Sequence, residues 1–116
     1  MKNHKDLIVW QKSMDLVLAI YKATRSFPQE EMFGIVSQMR RASVSIPSNI
    51  AEGFGRLSEK ETERFLSIAL GSASELETQL IISKDLDFIP TDMAAELLDQ
   101  NKKVIFMLSS LIKTFK

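Results

Sequence analysis

Residues 32–53 read MFGIVSQMRRASVSIPSNIAEG, and this stretch decides the fold. Met32, Val36, Met39, Ser43, Ile46, Ile50 and Gly53 recur at alternating steps of four and three, the spacing of one face of an α-helix. Pro47 falls inside the run. An interior proline removes one backbone hydrogen bond and crowds the carbonyl four residues back, on Ser43, so a kinked helix is expected. The hydroxyls of Ser43 and Ser45 stand close enough in sequence to satisfy the freed groups. Upstream, Ser26-Phe27-Pro28 breaks the pattern, and Gln29, Glu30 and Glu31 supply an acidic first turn that suits the helix dipole. Gly53, Gly55 and Leu57 close the segment, which gives a helix over 29–54.

The same reading extends in both directions. Trp10, Met14, Val17, Ile20 or Tyr21, and Thr24 form a stripe that predicts a first helix over 9–26. Residues 2–8 are expected to be extended, with Leu7 packing down. Leu16 and Leu18 lie off that stripe. They make the first helix apolar on more than one side, which points to a surface shared with another subunit. Ser58-Glu59-Lys60-Glu61 has the form of a capping box and opens a third helix over 59–86. Its stripe is Phe65 or Leu66, Ala69, Ser72 or Ala73, Leu76, Leu80 and Ser83. The small residues Ala69 to Ser74, centred on Gly71, favour close approach of another helix. Ile89-Pro90 stops that helix. Thr91 is the expected N-cap of a fourth over 92–114, carrying Met93, Leu97, Gln100, Val104, Met107, Leu111 and Phe115, with Lys113 and Lys116 at its end. Short connections make consecutive helices antiparallel neighbours. The chain therefore reads as all-α, an antiparallel up-down four-helix bundle in a single domain, 1–116.

Composition narrows the chemistry. At 116 residues there is room for one core, and 45% hydrophobic content is that of a globular protein. With no Cys and one His, at position 4, neither a disulfide nor a thiolate or His-based metal site is expected. No run approaches the roughly 20 apolar residues of a membrane span, and the N-terminus meets charge before any signal-length apolar run. No membrane association is expected, and a cytoplasmic location is. Lys+Arg and Asp+Glu are both 15, which argues against sequence-blind binding to phosphates. The charges are unevenly placed. Residues 2–26 hold five basic and two acidic side chains, residues 58–87 three basic and seven acidic, an arrangement suited to head-to-tail association of subunits.

Some polar residues do not fit a bland bundle. Arg41, Ser45, Asn49 (or Ser48) and Glu52 follow steps of about four along the second helix, and the third helix offers Ser72, Glu75 and Gln79. The commoner reading is a structural cluster at a helix or subunit interface, of the kind that fixes register more than it stabilises. The alternative is a ligand or partner pocket near Pro47. Arg40, Arg56, Lys60 and Arg64 form a basic set whose functional reading is contact with phosphates. Catalysis is not expected: Glu52 and Glu75 have no nucleophile–base partner, Gly53-x-Gly55 lacks the strand–turn–helix setting of a phosphate loop, and no carboxylate–histidine metal motif exists. No cofactor and no small-molecule substrate are expected.

Three blocks carry a family resemblance. Asp6-Leu7-Ile8-Val9-Trp10-Gln11-Lys12, Gln38-x-Arg40-Arg41-Ala42-x-x-Ser45-Ile46-Pro47-x-Asn49-Ile50-Ala51-Glu52-Gly53 and Ala69-x-Gly71-Ser72-x-x-Glu75-Leu76-Glu77 resemble the bacterial four-helix-bundle proteins, also called 23S rRNA intervening-sequence proteins. The resemblance spans nearly the whole chain. It implies a bundle subunit that assembles into a ring-like homopentamer, and association with ribosomal RNA or a nucleoprotein. The alternative is a protein–protein adaptor or structural ring with no nucleic-acid role.

Overall fold

In the computed structural model, which describes residues 3–115, four long helices follow one another: α1 (Ile8–Thr24), α2 (Ser37–Phe54), α3 (Glu59–Asp85) and α4 (Thr91–Lys113). No strand occurs among the described residues. Lys2 and Lys116 lie outside them. Each helix packs on the next and α1 closes the ring against α4, with the most extensive packing between α2 and α3. The elongated bundle measures 43 × 24 × 20 Å. Its core is one continuous cluster that runs through Leu16, Ile20, Met39, Ile46, Ile50, Leu66, Leu76, Leu80, Val104 and Leu108. Full burial of side chains of this size contributes about 1.5–3 kcal/mol each.

The stripes of α2 and α3 face the core as their spacing predicts: Val36, Met39, Ser43, Ile46, Ile50 and Gly53 on one, Leu66, Ala69, Ala73, Leu76, Leu80 and Ser83 on the other, all buried. Met32 at the head of the first of these stripes stays exposed. The first helix is rotated from the expected register. Its buried stripe is Val9, Ser13, Leu16, Ile20, Ala23 and Thr24, so Leu16 is fully inside rather than on a subunit surface. Trp10, Met14 and Val17 instead line a shallow apolar groove shared with Val44, Pro47 and Ala51 of α2. Leu18 remains 62% exposed. In α4 the buried line is Ala94, Leu97, Asn101, Val104 and Leu108, while Met93 stays exposed.

The ends also differ in detail. Residues 4–6 form a 3₁₀ turn capped by Asn3 rather than an extended arm, and His4 packs edge-on against Trp10 at 5.3 Å between ring centres. The second helix does not start at 29. Gln29–Glu31 is a 3₁₀ turn and Met32–Val36 a wide turn in which Gly34 leaves helical geometry (φ −108°, ψ −116°). The helix then runs continuously through Pro47, and the non-helical dihedrals fall at Gly34, the residue with the freest backbone. Ser43 donates to the Arg40 carbonyl. Ser58 caps α3 by accepting from the Glu61 N–H, but Glu61 turns its carboxylate to Arg64 in place of the reciprocal bond. α3 ends in a Schellman turn: Phe88 N–H donates to the Ser83 carbonyl, Asp87 N–H to the Lys84 carbonyl, and Asp87 takes a left-handed φ of 61°. Thr91 is the first residue of α4, not its cap, because Pro90 holds the preceding position with no side chain to accept a bond.

Candidate functional site

Four of the residues singled out by spacing meet in one place. Arg41, Ser45, Ser72 and Glu75 line a groove of 430 Å³ between α2 and α3, together with Phe33, Ser37, Gln38 and Ala42. The antiparallel pairing of the helices sets this meeting. The Ser45 and Ser72 hydroxyls bond across the seam at 2.8 Å, and Asn49, one turn along, donates its amide to the Ser45 carbonyl (2.8 Å) and hydroxyl (2.9 Å). Asn49, Ser45 and Ser72 thus form a polar line that pins α2 to α3. Glu75 stands at the rim and accepts from the Gln79 amide at 3.2 Å. Arg41 is exposed at the opposite rim, and the two make no ion pair.

Glu52 does not join them. It pairs with Arg56 at 2.7 Å on the exposed end of α2. It is eleven residues from Arg41, about 16 Å along the helix at 1.5 Å per residue. Glu52 and Glu75 therefore do not form a carboxylate pair. The groove holds hydroxyls bonded to one another and a carboxylate bonded to an amide, an arrangement suited to recognition of polar groups. No cluster of three or more potential metal ligands occurs among the described residues.

The basic set is dispersed. Arg40 turns away from solvent onto the end of α1: its Nε donates to Thr24 Oγ1 (3.0 Å), a terminal N–H donates to the Tyr21 carbonyl (3.4 Å), and its guanidinium lies 4.6 Å from the Tyr21 ring centre. Arg56 and Arg64 both stack on Phe65, at 4.8 and 4.7 Å, while bonded to Glu52 and Glu61. Lys60 is exposed beside them. Residues 52–64 hold three basic and four acidic side chains, so this end of the bundle carries no cationic excess.

Spacing alone misses Phe33, 97% exposed at the groove mouth, because the non-helical Gly34 next to it takes it off any stripe. It also misses Asn101, fully buried, which donates to the Ala73 carbonyl at 2.8 Å and leaves its own Oδ1 without a partner.

The fold and this seam define the class: a four-helix bundle whose second and third helices are joined by a polar line. Within that class, the model of the 23S rRNA-intervening sequence protein family matches residues 5–110, and the chain belongs to that family. Among solved structures it is similar to a protein of unknown function from the S23 ribosomal protein family of Bacteroides thetaiotaomicron. That match has a TM-score of 0.86 at 24% identity and covers 91% of this chain and 99% of the other. This likeness shows the shared fold. No curated protein matches the chain.

Proposed function

We propose that the protein is a cytoplasmic, non-catalytic bundle subunit that self-associates, and that the assembled form serves as an accessory factor of a ribosomal-RNA-containing particle. One observation carries the reading. The core is complete, yet Met14, Leu18 and Tyr21 stand exposed one after another, at steps of four and three, along one face of α1. A contiguous exposed apolar run of this kind marks a surface that another protein covers. The family resemblance supports a ring of five copies, and the family description supports the link to ribosomal RNA.

The test is light scattering over a range of protomer concentrations. A protein that remains monomeric throughout refutes self-association. The RNA half is tested separately by titration with structured RNA. Binding through phosphates weakens steeply with salt, and no binding at low salt removes that half. The pairing of Arg56 and Arg64 with glutamates favours contact through a protein surface of the particle. On that reading, nuclease treatment leaves recovery of the partner unchanged.

A further inference from the structure

The groove between α2 and α3 keeps opposite charges apart. Arg41 stands four residues before Ser45 on α2, and Glu75 three residues beyond Ser72 on α3. The helices are antiparallel and the two serines bond across the seam, so both charged residues lie on the same side of that bond. At 1.5 Å per residue they stand about 6 and 4.5 Å above it, nearly level with each other. Ala42 lines the groove at that level and contributes only a methyl group. The Arg41 guanidinium makes no hydrogen bond, ion pair or ring contact with any described residue. Glu75 is held by Gln79, which is 5% exposed and donates to its Oε2 at 3.2 Å; Glu75 Oε1 stays free to accept. Gln79 buries its own Oε1 without a partner. A buried acceptor left unpaired weakens the fold, so fixing this carboxylate serves something other than stability.

The floor has a donor to spare. Ser45 and Ser72 bring two hydroxyl hydrogens to one shared bond, and Ser45 Oγ already accepts from Asn49 at 2.9 Å. One O–H is left to point into the groove. At the mouth Phe33 is 97% exposed and touches no other ring of the described residues, so its faces are open. These groups specify an occupant by exclusion. A lone phosphate would meet Glu75, and a lone cation would meet Arg41. The occupant needs an acceptor edge for Arg41, an adjoining donor edge for Glu75 and a flat face for Phe33. Guanine has all three. Its O6 and N7 accept a bidentate arginine fork, its N1–H and 2-amino group donate to a carboxylate, and its ring stacks on aromatic side chains. Adenine carries an amino group where guanine has O6, and an acceptor at N1, so both charges would face the wrong group. The pyrimidines lack two adjoining donors. At 430 Å³ the groove is in the size range of small-molecule sites.

We infer that the α2/α3 groove binds a guanine base. Arg41 donates to O6 and N7, Glu75 accepts from N1–H and the 2-amino group, and Phe33 covers the ring. The site goes beyond the self-association proposed above and does not depend on it. Recognition through base edges also does not call on a cationic excess, which this chain of zero net charge lacks. The base is supplied by a free guanine nucleotide or by an unpaired guanosine in an RNA, and the two are told apart by experiment.

The test is calorimetric titration of the full chain with the monophosphates of guanosine, adenosine, uridine and cytidine, and with inorganic phosphate. Guanosine monophosphate binds about tenfold or more tightly than the other three, and inorganic phosphate does not displace it. A short uridine oligomer carrying one guanosine, set against the all-uridine oligomer, separates the sources. Guanosine-dependent binding tighter than that of the free nucleotide assigns an RNA, and binding no tighter assigns the nucleotide. Arg41→Gln and Glu75→Gln each weaken guanosine monophosphate by about tenfold, and Glu75→Gln also narrows its lead over adenosine monophosphate. Phe33→Ala weakens all four nucleotides by a similar factor and leaves their order unchanged, because stacking is tolerant of the base. All three side chains are exposed, so circular dichroism and melting of the variants match wild type. Equal binding of the four nucleotides overturns the assignment. So does guanosine binding that survives Arg41→Gln or Glu75→Gln, or no binding of either the guanine nucleotide or the guanosine-bearing oligomer at millimolar concentration. A monomeric wild type that binds guanosine monophosphate refutes self-association and leaves this site standing.

Discussion

Gly53 and Gly55 stand two residues apart at the end of α2, and the same substitution should act on them with opposite sign. At Gly53 an added Cβ lands 3.1 Å from Phe65 Cβ and 3.1 Å from the Thr62 carbonyl oxygen. Neither neighbour is the free end of a flexible side chain, so α2 and α3 must separate. Forcing extra volume into such a contact costs about 1–3 kcal/mol. The Thr62 hydroxyl donates to the Gly53 carbonyl at 2.8 Å across the same contact, and disturbing it adds about 1 kcal/mol. Against this, alanine gains at most about 1 kcal/mol of helix propensity. Gly53→Ala should therefore destabilise by about 1–3 kcal/mol. At Gly55 the nearest atoms, the Glu52 and Ala51 carbonyl oxygens, lie at 3.4 and 3.6 Å, which is ordinary contact, and its φ of −88° suits any residue. Gly55→Ala should stabilise by about 0.4–1 kcal/mol through the unfolded chain. Thermal and urea unfolding at equal protomer concentration should show a Tm lower by about 4–15 °C for Gly53→Ala and higher by a few degrees for Gly55→Ala. A Gly53→Ala protein as stable as Gly55→Ala would refute the claim that α2 and α3 touch there too closely for a side chain.

Asp87→Gly should stabilise by about 1 kcal/mol, because the Schellman turn holds Asp87 at φ 61°, where a Cβ is crowded; an unchanged urea midpoint would count against that. Arg40→Met should cost about 1–2 kcal/mol by loss of its bonds to Thr24 and Tyr21, and Arg40→Lys should not restore it, since lysine lacks the planar fork. Lys60→Met, on an exposed residue, should stay within about 0.5 kcal/mol of wild type in the same urea series. A double-mutant cycle on Ser45→Ala and Ser72→Ala should give a coupling of about 1 kcal/mol from the 2.8 Å bond between their hydroxyls. A coupling near zero would mean that the polar seam does not join α2 to α3.

Where periodicity misplaces a buried stripe, it does so for one physical reason. The buried stripe of α1 contains Ser13, whose hydroxyl donates to the Trp10 carbonyl, and that of α4 contains Asn101, whose amide donates to the Ala73 carbonyl. A polar side chain that donates to a main-chain carbonyl can sit at the centre of a core, but a periodicity count reads it as surface. In α1 this shifts the apparent stripe onto Trp10, Met14 and Val17, which are apolar at the same spacing and face the α1/α2 groove. In α2 and α3 the buried serines stand among enough aliphatic residues that the stripe survives. The polar cluster is legible for the complementary reason. Arg41, Ser45, Ser72 and Glu75 follow helical spacing on two helices that antiparallel pairing must bring together, whereas Glu52 shares the spacing but sits beyond the groove's end. Phe33 is invisible to such counting because its position depends on the turn at Gly34.

The basic residues show why charge has to be read after side chains have chosen partners. Four cations spaced through residues 40–64 have the form of a phosphate-contacting edge. The structure gives one to the end of α1 and two to neighbouring glutamates. Exposed ion pairs of this kind contribute at most about 1 kcal/mol to stability, so they do little to hold the fold. Their effect is on recognition. A guanidinium already shared between a carboxylate and the Phe65 ring has little net field to offer a polyanion, because phosphate binding draws its free energy from releasing counterions around uncompensated charge. Arg41 and Lys60 form no ion pair among the described residues, so in this stretch they are the cations whose field is left for a partner, and they stand on opposite ends of the run rather than on one edge.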